Sequence, residues 1–309
     1  MPATRTAYVF PGQGAQSVGM GRDLYEALPI ARATLEEADQ ALGFSLTRLC
    51  FEGPEETLRQ TAFAQPAILA VSIAMLRSAQ AMLGQGLPAA DLMAGHSLGE
   101  YTALVAAESL SFVDALRLVQ ERGRLMQAAG EQEPGAMAAV LSLDFEVLQA
   151  ICLETGAEPA NINTPDQVVI SGPVAAVEAA AKLASERGAR RVVPLLVSGA
   201  FHSRLMAPAM SGMAAAIASV AVQDPRVPVV SNGTATPLLT AAAVREELVH
   251  QIVSPVQWQR SVEYMVSQGV GCFYEIGPGR VLTGLIRRVA PEAEMRSLNE
   301  LAAIAPLPV

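Results

Sequence analysis

Apolar and polar positions follow two periods along this chain. Residues 6–10 (TAYVF) form a short β-rich run that stops at Pro11-Gly12-Gln13-Gly14, a cluster of turn formers. Helical patterns follow through residue 41. Residues 65–82 carry an apolar stripe through Ile68, Val71, Met75 and Met82, the spacing of one helix face. Pro66 suits the first turn of that helix, and residues 84–88 (GQGLP) end it. Residues 92–95 read as a short buried strand and 100–107 as a helix. Strands alternating with helices predict a parallel sheet covered by helices, an α/β fold.

The middle of the chain has a different rhythm. Residues 129–135 (AGEQEPG) read as a linker. A strand (136–141), a helix (145–155), two strands (158–162 and 167–171), a helix (174–187) and a strand (191–196) follow. The order β-α-β-β-α-β is that of the ferredoxin-like split motif. A small domain inserted at residues 130–198 is therefore expected, with 1–129 and 199–309 forming the large domain. After it, α/β character returns with residues 272–276 (CFYEI), Gly277-Pro278-Gly279 and a helix from Val281.

Composition narrows the classes. The 309 residues are 51% hydrophobic and 17% charged, enough apolar surface for a large core in two domains. A net charge of −9 argues against broad nucleic-acid binding. The cysteines, Cys50, Cys152 and Cys272, are far apart with no CxxC spacing, so neither a disulfide framework nor a zinc site is expected, and a reducing cytoplasm is the simple setting. Residues 1–10 show no basic segment before an apolar signal core. The longest uncharged run, 205–223, has the length of a membrane span. It holds Pro208, Ser211, Gly212, Ser219 and many alanines, and is read instead as a buried Ala-rich helix; no membrane contact is expected.

Gly95-His96-Ser97-Leu98-Gly99 fits G-x-S-x-G. In a nucleophile elbow the serine sits on a sharp strand-to-helix turn that needs small neighbours and puts its hydroxyl at a helix N-terminus. The apolar strand before and the helix after fit that context; a Gly-rich turn with a capping serine is the plainer alternative. A serine needs a base, and the chain has three histidines. His96 adjoins Ser97, and His250 lies in a polar helical stretch. His202 follows an apolar strand and a small-residue loop, so elimination favours it, against a purely structural histidine. No third acid stands out. Asp144 and Asp166 adjoin strand or turn signals and are read as capping or turn residues, and a backbone carbonyl orienting the base would leave a dyad.

At about 100° per residue, the helix 112–128 places Arg122 inside an arc of Phe112, Ala115, Leu116, Leu118, Val119, Leu125 and Met126. A buried guanidinium needs an anion. That anion is either a protein carboxylate or a substrate carboxylate held in the arginine fork. The first Gly-rich loop matches neither G-x-G-x-x-G nor the P-loop. It is read as a simple turn or as a close backbone approach that supplies an oxyanion donor beside the Leu98 N–H.

Phe10-Pro11-Gly12-Gln13-Gly14-Ala15-Gln16, Gly95-His96-Ser97-Leu98-Gly99-Glu100, Arg122-Gly123-Arg124-Leu125-Met126-Gln127, Ala200-Phe201-His202-Ser203 and Pro255-Val256-Gln257-Trp258 occur in that order. Together they resemble the malonyl-CoA:acyl carrier protein transacylase family of fatty acid synthesis, over nearly the whole chain. The resemblance implies an α/β-hydrolase-like catalytic domain with the ferredoxin-like insertion. It implies Ser97 as nucleophile, His202 as base, Arg122 on the malonyl carboxylate, and the Gln13 and Leu98 N–H groups as oxyanion hole. It further implies that the Gln257 main-chain carbonyl orients His202, that Phe201 marks malonyl selectivity, and, more weakly, that Asn161 and Asn163 lie near the cleft. Ala15, where serine is frequent, and Gly199-Ala200 before Phe201 bear at most on pocket shape.

By the same resemblance the substrates are malonyl-CoA and phosphopantetheinylated acyl carrier protein. No cofactor or metal, a cytoplasmic location and a monomer are expected. Arg190-Arg191 and Arg287-Arg288 are the basic candidates for docking the carrier. The alternatives are a discrete acyltransferase of a polyketide synthase or a malonate decarboxylase subunit, and more distantly a serine hydrolase or a non-catalytic carrier-binding module.

Overall fold

The computed structural model describes residues 5–304, and its strands fall into two sheets. In chain order they are β1 (Arg5–Phe10), β2 (Leu92–Gly95), β3 (Gly135–Leu141), β4 (Glu158–Thr164), β5 (Gln167–Pro173), β6 (Arg191–Pro194), β7 (Val229–Val230), β8 (Pro237–Leu238), β9 (Val270–Ile276) and β10 (Glu294–Leu298). The larger sheet runs β10-β9-β1-β2-β7-β8. Its pairings are parallel except for the terminal β7–β8 hairpin. Alanine, valine and aromatic residues fill β1, and from Thr6 onward all of it is buried, as expected of a central parallel strand covered on both faces. Side chains of Ala7 and Val9 pack on one face with Trp258, Phe273 and Ile286. Those of Tyr8 and Phe10 join the larger cluster on the other.

The helix Thr61–Leu83 is the spine of that larger cluster, with every residue from 64 to 76 buried. It begins a turn earlier than its apolar stripe predicts, so Pro66 lies inside it instead of at its start. The proline is close enough to the N-terminus that only one early backbone bond is lost. The segment Thr61–Gly86 is long and apolar enough to cross a membrane, but 67% of its apolar window is buried in the fold, the mark of a core helix hydrophobic on all sides. The uncharged run 205–223 behaves differently from its expected burial. It forms the helix Ala207–Ala218, in which only Ala209, Met213 and Ile217 are buried. These lie four residues apart on one stripe, and alanines on the other faces meet solvent.

The second sheet is antiparallel in the order β4-β5-β3-β6, with the helices Phe145–Thr155 and Val174–Glu186 packed on one face. This is the split β-α-β-β-α-β arrangement. No seven-residue linker precedes it. The helix Phe112–Gln132 runs on until only Glu133 and Pro134 separate it from β3. Gly130 lets that helix lie against the backbone of Ser198 and Gly199, since a Cβ there would come within 2.5 Å of the Ser198 carbonyl oxygen. The small sheet is also joined by main chain to the segment that precedes the helix Trp258–Ser267: Ile162 N–H donates to the Val256 carbonyl (2.8 Å), and Val256 N–H to that of Ala160 (2.8 Å).

Candidate active site

β2 ends at Gly95 and the helix Gly99–Ala106 begins four residues later. So sharp a reversal leaves no room for side chains at its base. A Cβ on Gly95 would lie 1.9 Å from the Gly99 carbonyl carbon, and one on Gly99 would lie 2.1 Å from the Phe10 carbonyl oxygen. Ser97 itself takes φ 51°, a left-handed conformation costly for a non-glycine residue and characteristic of functional sites. The sequence pattern at Gly95–Gly99 thus folds as the sharp strand-to-helix turn expected of an elbow.

Ser97 Oγ lies 2.7 Å from His202 Nε2. His202 also has positive φ, 56°. Its Nδ1 sits 3.0 Å from the Gln251 carbonyl and 3.1 Å from that of Ser254. Carbonyl oxygens only accept, so Nδ1 carries the proton and Nε2 presents a lone pair to the serine hydroxyl. The orienting carbonyl is therefore not that of Gln257. Gln257 precedes the helix Trp258–Ser267, and its carbonyl accepts from Ser261 N–H (2.9 Å) and Ser261 Oγ (3.1 Å). The turn just before it aims two carbonyls at the imidazole instead. Burial, reinforced by the Arg122 charge, pushes the His202 pKa down to about 3.

Arg122 is 1% exposed, as the helical projection requires. Its Nη1 donates to Gln65 Oε1 (2.9 Å), and its Nη2 to Gln251 Oε1 (3.0 Å) and to Ser97 Oγ (3.1 Å). The guanidinium also lies 5.6 Å from the centre of the Tyr101 ring. All these acceptors are neutral, so the protein-carboxylate alternative fails at hydrogen-bond range. Nε has no partner among the described residues. A buried cation surrounded by neutral acceptors keeps its demand for an anion, and here it faces the serine.

The loop after β1 passes directly over the elbow. A Cβ on Gly12 would lie 2.3 Å from the His96 carbonyl oxygen, so close approach, not mere turning, is what this glycine permits. Neither Gln13 N–H nor Leu98 N–H donates to a described residue, and both residues line the cleft that opens above Ser97. The cleft measures about 470 Å³ and is also lined by Asn161, Phe201, Leu196 and Arg59. Asn163 makes no hydrogen bond to Ser97; its Oδ1 lies 2.8 Å from His96 Nε2. His250 is exposed. Asp144 caps its helix through Glu146 and Val147 N–H, and Asp166 bonds Thr164 and Arg288. Arg288 is therefore engaged, while Arg190, Arg191 and Arg287 are exposed.

Sequence reasoning missed Asn232 and Gln251. Ser97 N–H donates to Asn232 Oδ1 (2.6 Å), and Gln251 Nε2 donates to the Ser97 carbonyl (2.9 Å). The Asn232 backbone N–H and Gln251 Nε2 also donate to the buried carboxylate of Glu100. Burial, and next the neighbouring Glu247, raise that carboxyl well above its ordinary range. Ser-Asn-Gly at 231–233 looks like an ordinary turn, and Gln251 follows a helix read as polar, so neither carries a local signal.

The acyl transferase domain family matches residues 7–305. The chain is 45% identical over 306 residues to the malonyl CoA-acyl carrier protein transacylase of Escherichia coli K12, covering 98% of each. It is 44% identical over 291 residues to the enzyme of that name from Bacillus subtilis, covering 93% of this chain and 90% of that one. Among solved structures, a malonyl-transacylase in complex with a type II PKS acyl-carrier protein superposes with a TM-score of 0.94 at 43% identity, over 97% of this chain and 98% of that one. The malonyl CoA-acyl carrier protein transacylase of Coxiella burnetii gives 0.93 at 39% identity, over 97% and 96%.

Proposed function

The chain belongs to the acyl transferase family, and from that membership we propose how its residues carry out the reaction. The enzyme transfers a malonyl group from malonyl-CoA to acyl carrier protein. His202 Nε2 takes the proton from Ser97 Oγ as the oxygen attacks the thioester carbonyl. The tetrahedral oxyanion is held by the N–H groups of Gln13 and Leu98. The C–S bond breaks, and coenzyme A leaves as a thiol with the proton returned by His202. The carrier's phosphopantetheine thiol then gives its proton to His202 and attacks the malonyl ester, and Ser97 leaves with the proton restored.

Arg122 binds the distal carboxylate and fixes the acyl group for attack, with Phe201 bounding the same space. The observation that carries this reading is one atom's surroundings: Ser97 Oγ meets the basic nitrogen of His202 and the guanidinium of Arg122 together. A positive charge beside the oxygen favours the developing alkoxide, and the same charge selects a dicarboxylic acyl group. We place the reaction in cytoplasmic fatty acid synthesis, with exposed Arg190, Arg191 and Arg287 offered to the acidic carrier. The superposition on an enzyme bound to a polyketide carrier keeps polyketide supply as the second reading.

Incubation with malonyl-CoA alone should leave a malonyl adduct on the Ser97 peptide by mass spectrometry, and holo carrier protein should discharge it. A single-turnover experiment without adduct refutes the mechanism. Faster discharge by a fatty acid carrier than by a polyketide carrier supports the pathway assignment, and the reverse order supports the alternative.

The depressed histidine gives a pH signature. Because His202 remains neutral far below its ordinary 6.5, kcat/KM should stay level from about pH 7 to about pH 5. Loss of half the activity near pH 6.5 would show an unperturbed base. Stability should move the other way. Below 6.5 the unfolded chain binds a proton at this histidine that the folded chain does not, so acid removes folding free energy over the interval from 6.5 down to about 3.

A further inference from the structure

Glu100 follows the elbow and is fully buried, 0% exposed, yet it touches no reacting atom. Both of its oxygens accept from neutral donors. Oε1 takes the Asn232 backbone N–H (2.7 Å), and Oε2 takes Gln251 Nε2. Each donor residue then holds the site. Asn232 accepts from Ser97 N–H (2.6 Å) and donates to the Gly95 carbonyl (2.7 Å), bracing the elbow from below. Gln251 donates from the same Nε2 to the Ser97 carbonyl (2.9 Å) and accepts from Arg122 Nη2 (3.0 Å) at Oε1.

An amide has one accepting end and one donating end. With an acceptor at Glu100 and a carbonyl at Ser97, the NH₂ of Gln251 has to point at them, and Oε1 has to point at Arg122. Turned over, the amide would set its NH₂ against the guanidinium, donor against donor, and its oxygen against two acceptors. Two donors converge on residue 100, so it needs two acceptors. A carboxylate supplies both and a carboxamide only one. We propose that Glu100 is a positioning residue for acyl-group selection: it locks the Gln251 amide in the orientation that holds Arg122 over Ser97. This rests on the assignment of Ser97 as nucleophile and Arg122 as the carboxylate site.

The test compares kcat/KM for malonyl-CoA and acetyl-CoA, with holo carrier protein as acceptor, in the full chain. Glu100→Gln leaves one of the two donors unsatisfied and frees the Gln251 amide, so the malonyl-to-acetyl ratio should fall by about tenfold or more. Glu100→Asp keeps two acceptors and should recover part of the ratio. A residue needed only for folding would lower both activities together and leave the ratio unchanged, and that result overturns the proposal. Should Glu100→Gln fail to fold, Gln251→Met breaks the same relay with Glu100 in place and should lower the ratio equally; an unchanged ratio there also overturns it. The unsubstituted enzyme separates the two claims. If it fails to prefer malonyl-CoA, the Arg122 assignment falls, whatever the Glu100 variants do.

Discussion

Ser97→Ala should lose malonyl transfer by a factor on the order of 10⁴ or more in kcat. The expectation follows from what the substitution leaves behind. His202 keeps its two carbonyl acceptors, and the Gln13 and Leu98 N–H groups stay in place, so base and oxyanion hole survive without a nucleophile. Residual transfer would have to proceed by direct attack of the carrier thiol on malonyl-CoA. Initial-rate patterns would then change from parallel to intersecting lines. The fold should be intact, since alanine at φ 51° bears about the same strain as serine, and thermal denaturation checks this. A folded variant retaining a tenth of the wild-type rate would remove Ser97 from the mechanism.

Arg122→Ala should reduce kcat/KM for malonyl-CoA by a factor on the order of 10² or more relative to acetyl-CoA. Breaking one partner out of a buried charged pair costs about 3–5 kcal/mol, and in the proposed mechanism the other partner is the substrate carboxylate, desolvated in the cleft. Acetyl transfer should also slow, because the guanidinium donates to Ser97 Oγ, and Gln65 and Gln251 lose a donor with it. The ratio of the two substrates is therefore the proper readout. Equal loss of both would mean that Arg122 serves the serine alone.

Much of this site was legible because its chemistry is carried by local patterns. A glycine pair flanking a serine between strand and helix identifies an elbow, and an arginine on an apolar helix face announces itself by its cost. The small sheet was legible for a similar reason: its strands are short apolar runs and its helices are bounded by turn formers, which gives the β-α-β-β-α-β order. What escaped was held together across long sequence separations. Asn232 meets Ser97 from 135 residues away and Gln251 from 154. Amides have neither charge nor periodicity to betray such a role. The Gln257 assignment failed over a few residues, because which carbonyls of a turn face an imidazole depends on where the next helix begins. The Ala-rich run was misplaced because alanine is mildly apolar yet small enough to leave exposed, so hydropathy alone does not bury it.

The contact between Gly12 and the His96 carbonyl has a practical corollary. The loop bearing the Gln13 N–H and the turn bearing the Leu98 N–H abut main chain to main chain, with the thickness of a hydrogen atom where a Cβ would lie 2.3 Å from the carbonyl oxygen. The width of the proposed oxyanion hole is thus a property of the backbone and is insulated from side-chain exchange. Acyl preference, in the mechanism proposed above, is written in side chains, those of Arg122 and Phe201, which line the cleft. An engineer changing which extender unit this enzyme loads can rewrite the second without touching the first.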